Sequence, residues 1–130
     1  MKKLDNKGFT LVELIAVLVI LISVMMVTIP AVSSSLEKSK EKQLNSTKKL
    51  LENASEFYVT NNKEAIFQRI ENDASITKCY IKIDYLVNEQ YVDKDAVNGP
   101  DGEKLEGNVV FNISSYTFQY QDNVDGINEC

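Results

Sequence analysis

The sequence predicts an α+β fold in which a long N-terminal helix packs on a small antiparallel β-sheet. An apolar run fills residues 9–32, apolar residues then recur at helical spacing to about residue 58, and residues 109–121 alternate between apolar and polar. Helices repeat every 3.6 residues and strands every two, so the patterns separate the two kinds of element. We expect a leader peptide at residues 1–8, an apolar helix at residues 9–32 and a soluble head at residues 33–130.

The first element is a basic leader followed by a segment long enough to cross a membrane. Lys2, Lys3 and Lys7 outweigh Asp5 before the 24 residues of the apolar run, 9–32, begin. As a helix this run spans about 36 Å, more than the hydrocarbon core of about 30 Å. Positive charge before such a run is typical of the end that stays inside. We therefore expect a single-pass precursor in the cytoplasmic membrane, with the head outside.

Its length and the acid within it distinguish this run from an ordinary secretory signal. Signal peptides have a shorter apolar core of about 7–15 residues, although Ala31-Val32-Ser33 fits their cleavage pattern. Glu13 lies inside the run, where a charge costs roughly 2.5–3.5 kcal/mol and calls for a functional reason. Pro30 removes a backbone donor near the end of the run, so we expect a kink or a loosened turn there.

The stretch Lys-Gly-Phe-Thr-Leu-Val-Glu at residues 7–13 resembles the processing site of type IV prepilins and their relatives, the pseudopilins and competence pilins. The resemblance covers residues 1–32. It implies that a dedicated prepilin peptidase cuts after Gly8 and that the new N-terminal residue, Phe9, is N-methylated. It also implies that Glu13 is the assembly acid of the family, and that Pro30 is the proline found near the end of the helix.

The chemistry of Glu13 fits this family role. Cleavage after Gly8 leaves a positive amine on Phe9 at a helix start, and a carboxylate buried without a partner is strained or protonated. In the family, the acid pairs with the amine of an adjacent subunit, which sets the register between neighbours. In the lone chain, Glu13 can instead snorkel towards the membrane surface or pair with its own Phe9 amine.

The helix is predicted to continue through the start of the head and to break at Asn61-Asn62. Its apolar stripe is formed by Leu44, Thr47, Leu51, Ala54 and Tyr58, and Leu50 and Phe57 widen it. Such a stripe is typical of an amphipathic helix that buries one face. Two heptads are too few to establish a coiled coil, so we interpret the stripe as the spine of the head's core.

Short elements are expected between residues 63 and 107. The pattern predicts a short helix or a helical loop at residues 63–70, a strand at residues 78–83, a helical turn at residues 84–90 and a loop at residues 93–107. Tyr85, Leu86 and Val87 should face inward from the turn. Residues 87–92 resemble in style a segment common in Gram-positive pilins and major pseudopilins, although Gln90 stands where a glycine is usual. This resemblance predicts a Gram-positive origin.

A β-hairpin is the clearest strand signal. Val109, Phe111 and Ile113 alternate on the first strand, and an aromatic stripe follows on the second, formed by Tyr116, Phe118 and Tyr120. We expect the aromatic face to pack on the long helix, with a binding strip as the alternative. Residues 122–130 read as a polar tail.

The two cysteines, Cys79 and Cys130, allow one intrachain disulfide. Compartment decides whether it forms, because disulfides persist in oxidising spaces and are rare in the cytosol. A head outside the cytoplasm therefore predicts the bond, and closing a loop of about 50 residues is worth about 4 kcal/mol in the loop-entropy model. Two free thiols are the alternative for a cytosolic head.

No catalytic, cofactor or nucleic-acid site is expected. The chain has no histidine, no glycine-rich phosphate loop and no nucleophile elbow, and the cysteine spacing does not suit zinc. The net charge of −5 does not favour general binding to phosphate backbones. The one candidate for a metal is calcium in the loop at residues 93–107, but no known ligand spacing supports it; the oxygens would come from Asp93, Asp95, Asp101 and Glu103.

The sequence thus predicts a structural protein and not an enzyme. The first hypothesis, implied by the resemblance, is a subunit of a type IV pilus that polymerises through its apolar helix into a helical filament at the cell surface. Adhesion, motility or DNA uptake would follow from that filament. The second is a pseudopilin of a type II secretion or competence system. The third is a membrane-anchored or secreted binding domain unrelated to pili.

Overall fold

The computed structural model describes residues 8–130, in two compact units. The first unit ends at Ser39 and the second is Lys40–Cys130. The leader predicted at residues 1–8 lies outside the described residues, except for Gly8.

The first helix, α1, is Leu11–Asn61 and has 51 residues. It begins two residues after the predicted start, and it ends at the predicted asparagine pair. Two polar side chains inside the apolar run bond to the helix itself: the hydroxyl of Ser23 donates to the Val19 carbonyl at 2.7 Å, and that of Thr28 to the Val24 carbonyl at 3.1 Å. These bonds give each hydroxyl an acceptor within its own helix, which lets a polar side chain lie in an apolar segment. Pro30 lies within α1, and the kink there stays a prediction.

The apolar half of α1 has the length and composition of a membrane span. Its most apolar 18-residue window has a mean hydropathy of 2.8, and none of that window is buried in the protein. Among the described residues α1 is the one helix that meets these criteria. The protein thus contains a candidate transmembrane helix near its N-terminus.

The second unit holds the rest of the helices and a four-stranded sheet. A short 3-10 turn at Lys94–Val97 interrupts the predicted loop, and it buries Val97 completely. The other elements are α2 (Lys63–Asn72), β1 (Lys78–Lys82), α3 (Ile83–Asn88), β2 (Asn108–Asn112), β3 (Thr117–Gln121) and β4 (Asn128–Glu129). These elements confirm the predicted α+β class, with a long N-terminal helix and a small sheet.

The sheet is mixed, which corrects the prediction of an antiparallel sheet. The strand order is β3-β2-β1-β4; β1 and β3 both run antiparallel to β2, but β4 runs parallel to β1. The fourth strand comes from the segment interpreted as a polar tail. It was missed because only Asn128 and Glu129 pair, with Cys79 and Tyr80, and two residues are too few to show a strand period.

The distal half of α1 supplies one wall of the core. Leu51, Ala54 and Val59 are buried with Ile81 and Phe111 of the sheet in one hydrophobic cluster. On the helix, Thr47 and Ser55 complete the buried face.

Leu50 and Phe57 correct the predicted stripe, because they are 42% and 67% exposed. Each precedes a member of the stripe by one residue, Leu51 or Tyr58. One residue is a turn of about 100° around the helix, so these two side chains point away from the buried face.

The predicted hairpin is present, but its aromatic face is only partly covered. Tyr120 is buried, Phe118 is half-buried and Tyr116 is 43% exposed. Tyr116 lies in the loop between β2 and β3 with a φ of 53°, so it does not continue the strand's alternation. Its ring instead meets Phe111 edge-on, with 5.3 Å between the ring centroids.

A hydrogen bond at Tyr120 attaches the hairpin to α1. The Glu52 carboxylate of α1 accepts a hydrogen bond from the Tyr120 backbone N–H at 3.1 Å. The Tyr120 hydroxyl accepts one from the Gly107 N–H, also at 3.1 Å. Glu52 therefore satisfies a backbone donor on β3, the edge strand of the sheet, which would otherwise be free to pair with another chain.

Tyr85 also differs from its prediction. Leu86 of α3 is fully buried and Val87 is half-buried, but Tyr85 is 42% exposed. The six-residue helix offers only one narrow inward face, and Ile83 and Leu86 occupy it. The Tyr85 ring meets Tyr58 edge-on at 5.3 Å.

Candidate processing and assembly site

The predicted cleavage junction is open and precedes the helix directly. Gly8, Phe9 and Thr10 have no regular secondary structure, and the Phe9 side chain is 94% exposed. A Cβ placed on Gly8 would meet no atom of the described residues within 4 Å. An uncovered segment without regular secondary structure is accessible to a peptidase.

Thr10 and Glu13 form a reciprocal cap at the start of α1. The Glu13 Oε2 atom accepts a hydrogen bond from the Thr10 backbone N–H at 2.9 Å and one from its hydroxyl at 3.2 Å. In return, the Glu13 backbone N–H donates to the Thr10 hydroxyl at 3.3 Å. This is the capping-box arrangement, in which Ser or Thr at the N-cap and Glu three residues later satisfy each other's backbone donors.

The cap changes the interpretation of Glu13 in the lone chain. Thr10 binds its carboxylate, whereas from the sequence we expected Glu13 to reach the membrane surface or to pair with the Phe9 amine. The sequence did contain the signal, since Thr-x-x-Glu before an apolar run is a known mark of a helix start. Thr10 entered the sequence analysis only as part of the stretch at residues 7–13, and its role at the helix start was missed.

Pro30 is not part of this N-terminal site. It lies 17 residues after Glu13 within α1, which corresponds to about 26 Å along a regular helix. Any part it has in assembly is therefore separate from that of the carboxylate.

The two cysteines meet as the sequence predicted. Cys79 on β1 and Cys130 are joined by a disulfide, with their Cα atoms 5.0 Å apart and a sequence separation of 51. Two hydrogen bonds also hold Cys130 in position. Its N–H donates to the Tyr80 carbonyl at 2.9 Å, and Arg69 Nη1 donates to its carbonyl oxygen at 2.9 Å. The bond thus fixes the C-terminal segment beside β1 and α2.

The acidic loop at residues 93–107 does not gather its carboxylates. Asp101 accepts a hydrogen bond from Lys40 at 2.7 Å, and this bond raises the pKa of the Lys40 amine. Lys104 pairs with Asp84 outside the loop. Across residues 8–130, no group of three or more His, Cys, Asp or Glu side chains is arranged to hold a metal ion.

Comparison with known proteins identifies the N-terminal segment. The family model for the prokaryotic N-terminal methylation motif matches residues 3–29. No curated protein and no solved structure matches the chain. The matched residues contain the predicted cleavage junction and Glu13. By this match, the chain carries the prokaryotic N-terminal methylation motif, which is typical of type IV prepilin-like proteins.

Proposed function

We propose that this protein is a structural subunit of a type IV pilus. It is made as a prepilin, cleaved after Gly8, N-methylated at Phe9 and polymerised through the apolar half of α1. The observation that carries the proposal is the methylation motif at residues 3–29, on an exposed junction that leads directly into an uncovered apolar helix.

The exposed apolar surface of α1 requires a partner. Its large apolar side chains between residues 11 and 36 are each at least 50% exposed. A surface of this extent is not stable in water, and it marks contact with lipid or with other protein chains. In our proposal, lipid covers it in the membrane precursor, and the helices of neighbouring copies cover it in the filament.

The cap at Glu13 suits a contact between copies. It places the carboxylate at the helix start, close in sequence to the amine that cleavage would create on Phe9. Both Thr10 bonds go to the Oε2 atom of Glu13, and Oε1 accepts no hydrogen bond within the described residues. The carboxylate can therefore keep its cap and still accept the amine of an incoming subunit, since an ionised carboxylate has about four acceptor positions.

The proposed partners are a prepilin peptidase, the pilus assembly machinery and other copies of this chain. The precursor resides in the cytoplasmic membrane with its head outside, and the assembled subunit resides on the cell surface. A pseudopilin of a type II secretion or competence system shares the processing step and the pairing of subunits, so it remains the alternative.

The processing step is tested by Gly8→Val. A branched side chain at the cut should block the peptidase, and the uncut precursor should accumulate in the membrane fraction. The matched control is Ala31→Val, which alters the competing signal-peptidase pattern and should leave cleavage unchanged. Mass spectrometry of the wild-type N-terminus should show a chain that begins with methylated Phe9.

Two outcomes would contradict or redirect the proposal. A mature chain that begins near Ser33, or normal cleavage of Gly8→Val, would exclude the prepilin pathway. Electron microscopy of sheared cells then separates the two filament hypotheses. Long fibres that contain this chain support a pilus, and processed subunits without long fibres support a pseudopilus.

A further inference from the structure

The loop at residues 98–105 begins with Asn98-Gly99, the one asparagine of the chain that a glycine follows. Such a pair can react with itself in water, without an enzyme. Glycine has no Cβ to hinder its backbone nitrogen, so this nitrogen can attack the side-chain amide carbon of the asparagine and close a succinimide ring. The proposed processing and assembly give this pair no role, and the fold decides whether the reaction can proceed.

The fold keeps the Gly99 nitrogen away from the Asn98 side chain. The backbone of Asn98 is extended, with a ψ of 141°, whereas ring closure needs the nitrogen turned towards the side chain. The Gly99 N–H also donates a hydrogen bond to the Glu103 carbonyl at 2.7 Å. To react, the nitrogen must lose this bond and its proton, and the backbone must rotate. The folded loop therefore opposes the reaction in two ways.

Further contacts hold the loop in this closed form. A second hydrogen bond crosses the loop, from the Leu105 N–H to the Val97 carbonyl at 3.0 Å. The Val97 side chain is fully buried in the hydrophobic cluster of the head. The Thr47 hydroxyl of α1 lies 3.5 Å from the Asn98 carbonyl oxygen. The start of the loop must therefore detach from the core before Asn98 can react, which is a local opening and not an unfolding of the whole head.

We infer that Asn98 is a deamidation site that the closed loop protects. When the loop opens, the Gly99 nitrogen releases its proton to solvent and bonds to Asn98 Cγ, the Cγ–Nδ2 bond breaks and ammonia leaves. Water then opens the succinimide ring, and the product at position 98 is aspartate or isoaspartate. The reaction consumes only water.

The product should keep the loop from closing as before. Isoaspartate lengthens the main chain by one carbon atom at the position where Asn98 pairs with Lys104 across the loop. Either product also adds a negative charge to a loop that already contains Asp101 and Glu103. Deamidation therefore marks, irreversibly, a head that has opened at this loop.

The test compares the full chain folded in detergent micelles with the same chain unfolded in guanidinium chloride and a reductant, both at mildly alkaline pH. Mass spectrometry follows the mass gain of the tryptic peptide 95–104, in which Asn98 is the only asparagine. The folded protein should react at least about tenfold more slowly, a ratio that corresponds to about 1.4 kcal/mol of opening free energy.

Val97→Ala tests the local opening, and Val109→Ala is its matched control. Both valines are fully buried, but Val109 lies on β2 and not at the start of the loop. Val97→Ala should accelerate deamidation of the folded protein several-fold, because it weakens the anchor of the loop. Val109→Ala should leave the rate unchanged, while near-UV circular dichroism shows that both variants remain folded.

Gly99→Ala tests the chemical route. A Cβ on Gly99 would meet the Glu103 carbonyl oxygen at 3.6 Å and the Leu105 side chain at 3.7 Å, which are ordinary contacts, so the variant should keep the closed loop. Because this Cβ crowds the attacking nitrogen, the unfolded variant should deamidate more slowly than the unfolded wild type.

Three results would each overturn the inference. The folded wild type gains mass as fast as the unfolded chain, Val97→Ala accelerates the reaction no more than Val109→Ala, or unfolded Gly99→Ala reacts as fast as the unfolded wild type.

Discussion

At the scale of single residues, one carboxylate serves two purposes. Glu13 caps its own helix through Thr10, and in the proposed filament it also pairs with a neighbour's amine. A negative charge near a helix N-terminus is stabilised by the helix dipole, and an N-cap residue contributes about 1 kcal/mol. The cap therefore compensates in part for the cost of a charge in lipid before assembly, and it holds the acid where the amine must arrive.

Substitutions at Glu13 should separate its capping role from its charge. Glu13→Ala removes both, so filaments should fail, because leaving one member of a buried ion pair alone costs about 3–5 kcal/mol. Glu13→Gln keeps an oxygen that can accept from Thr10 but lacks the charge, so it should also lose most filaments. Glu13→Asp should retain some. Filament yield after shearing is the measurement.

A blot for cleaved subunit in the membrane is the control for this series. All three variants should be inserted and cleaved normally, because the cut after Gly8 lies more than one helical turn away. If Glu13→Ala subunits polymerise at the normal level as the sole copy, the pairing mechanism is wrong for this chain.

Thr10→Val should weaken the helix start and leave the charge of Glu13 in place. Valine has nearly the same shape but no hydroxyl, so two of the three cap bonds are lost, and a lost N-cap costs about 0.5–2 kcal/mol. We expect a reduced filament yield, higher than that of Glu13→Ala, with normal cleavage. Thr10→Ser keeps the hydroxyl and should behave as wild type; a loss of filaments equal to that of Thr10→Val would argue against the cap.

At the scale of elements, α1 combines two helices with different surroundings. Between residues 11 and 36 its large apolar side chains are exposed, whereas in the head only one face is buried. Sequence spacing identified that face from Thr47 to Tyr58, but its width was overestimated at Leu50 and Phe57. An apolar side chain at the border of a stripe can point to either side, and only the position of the sheet decides which.

Adjacent leucines on α1 should respond differently to truncation. Leu51 is fully buried and Leu50 is 42% exposed. Leu51→Ala should lower the free energy of unfolding of the head by about 2–5 kcal/mol, since it removes buried methyl groups and leaves a cavity. Leu50→Ala should change it by no more than about 0.5 kcal/mol. Chemical denaturation followed by tyrosine fluorescence measures both, and equal losses would contradict the buried face described here.

At the scale of the whole head, the disulfide secures the C-terminal segment, which the sheet itself holds only weakly. β4 has only two residues, and Cys130 follows it directly. Cys130 forms the disulfide with Cys79, its N–H donates a hydrogen bond to the Tyr80 carbonyl, and its main-chain oxygen accepts one from Arg69. Because a strand of two residues contributes few ladder bonds, the covalent link does most to hold the C-terminal segment against β1.

Cys130→Ser should therefore lower the free energy of unfolding of the head by about 2–5 kcal/mol, the usual effect of losing a native disulfide. Denaturation with and without a reductant is the measurement. Reductant should destabilise the wild-type protein by a similar amount and should not affect Cys130→Ser. A wild-type protein that is insensitive to reductant under unfolding conditions would show that the two cysteines are not joined.

The sequence by itself determined the features that depend on local pattern. The apolar run, the helix break at Asn61-Asn62, the hairpin and the motif around Gly8 and Glu13 each follow from the spacing or the order of neighbouring residues. The α+β class follows from these elements, because each pattern has its own period. The cap between Thr10 and Glu13 was equally readable, since both residues lie within one helical turn.

Only the tertiary structure decided what depends on residues far apart in the chain. The parallel pairing of β4 with β1 and the exposure of Tyr85 and Tyr116 arise where distant segments meet. No local period encodes such meetings, because the covering of a side chain depends on the segment packed against it. For this reason, the sequence identified the N-terminal motif, whereas the mixed sheet became visible only in three dimensions.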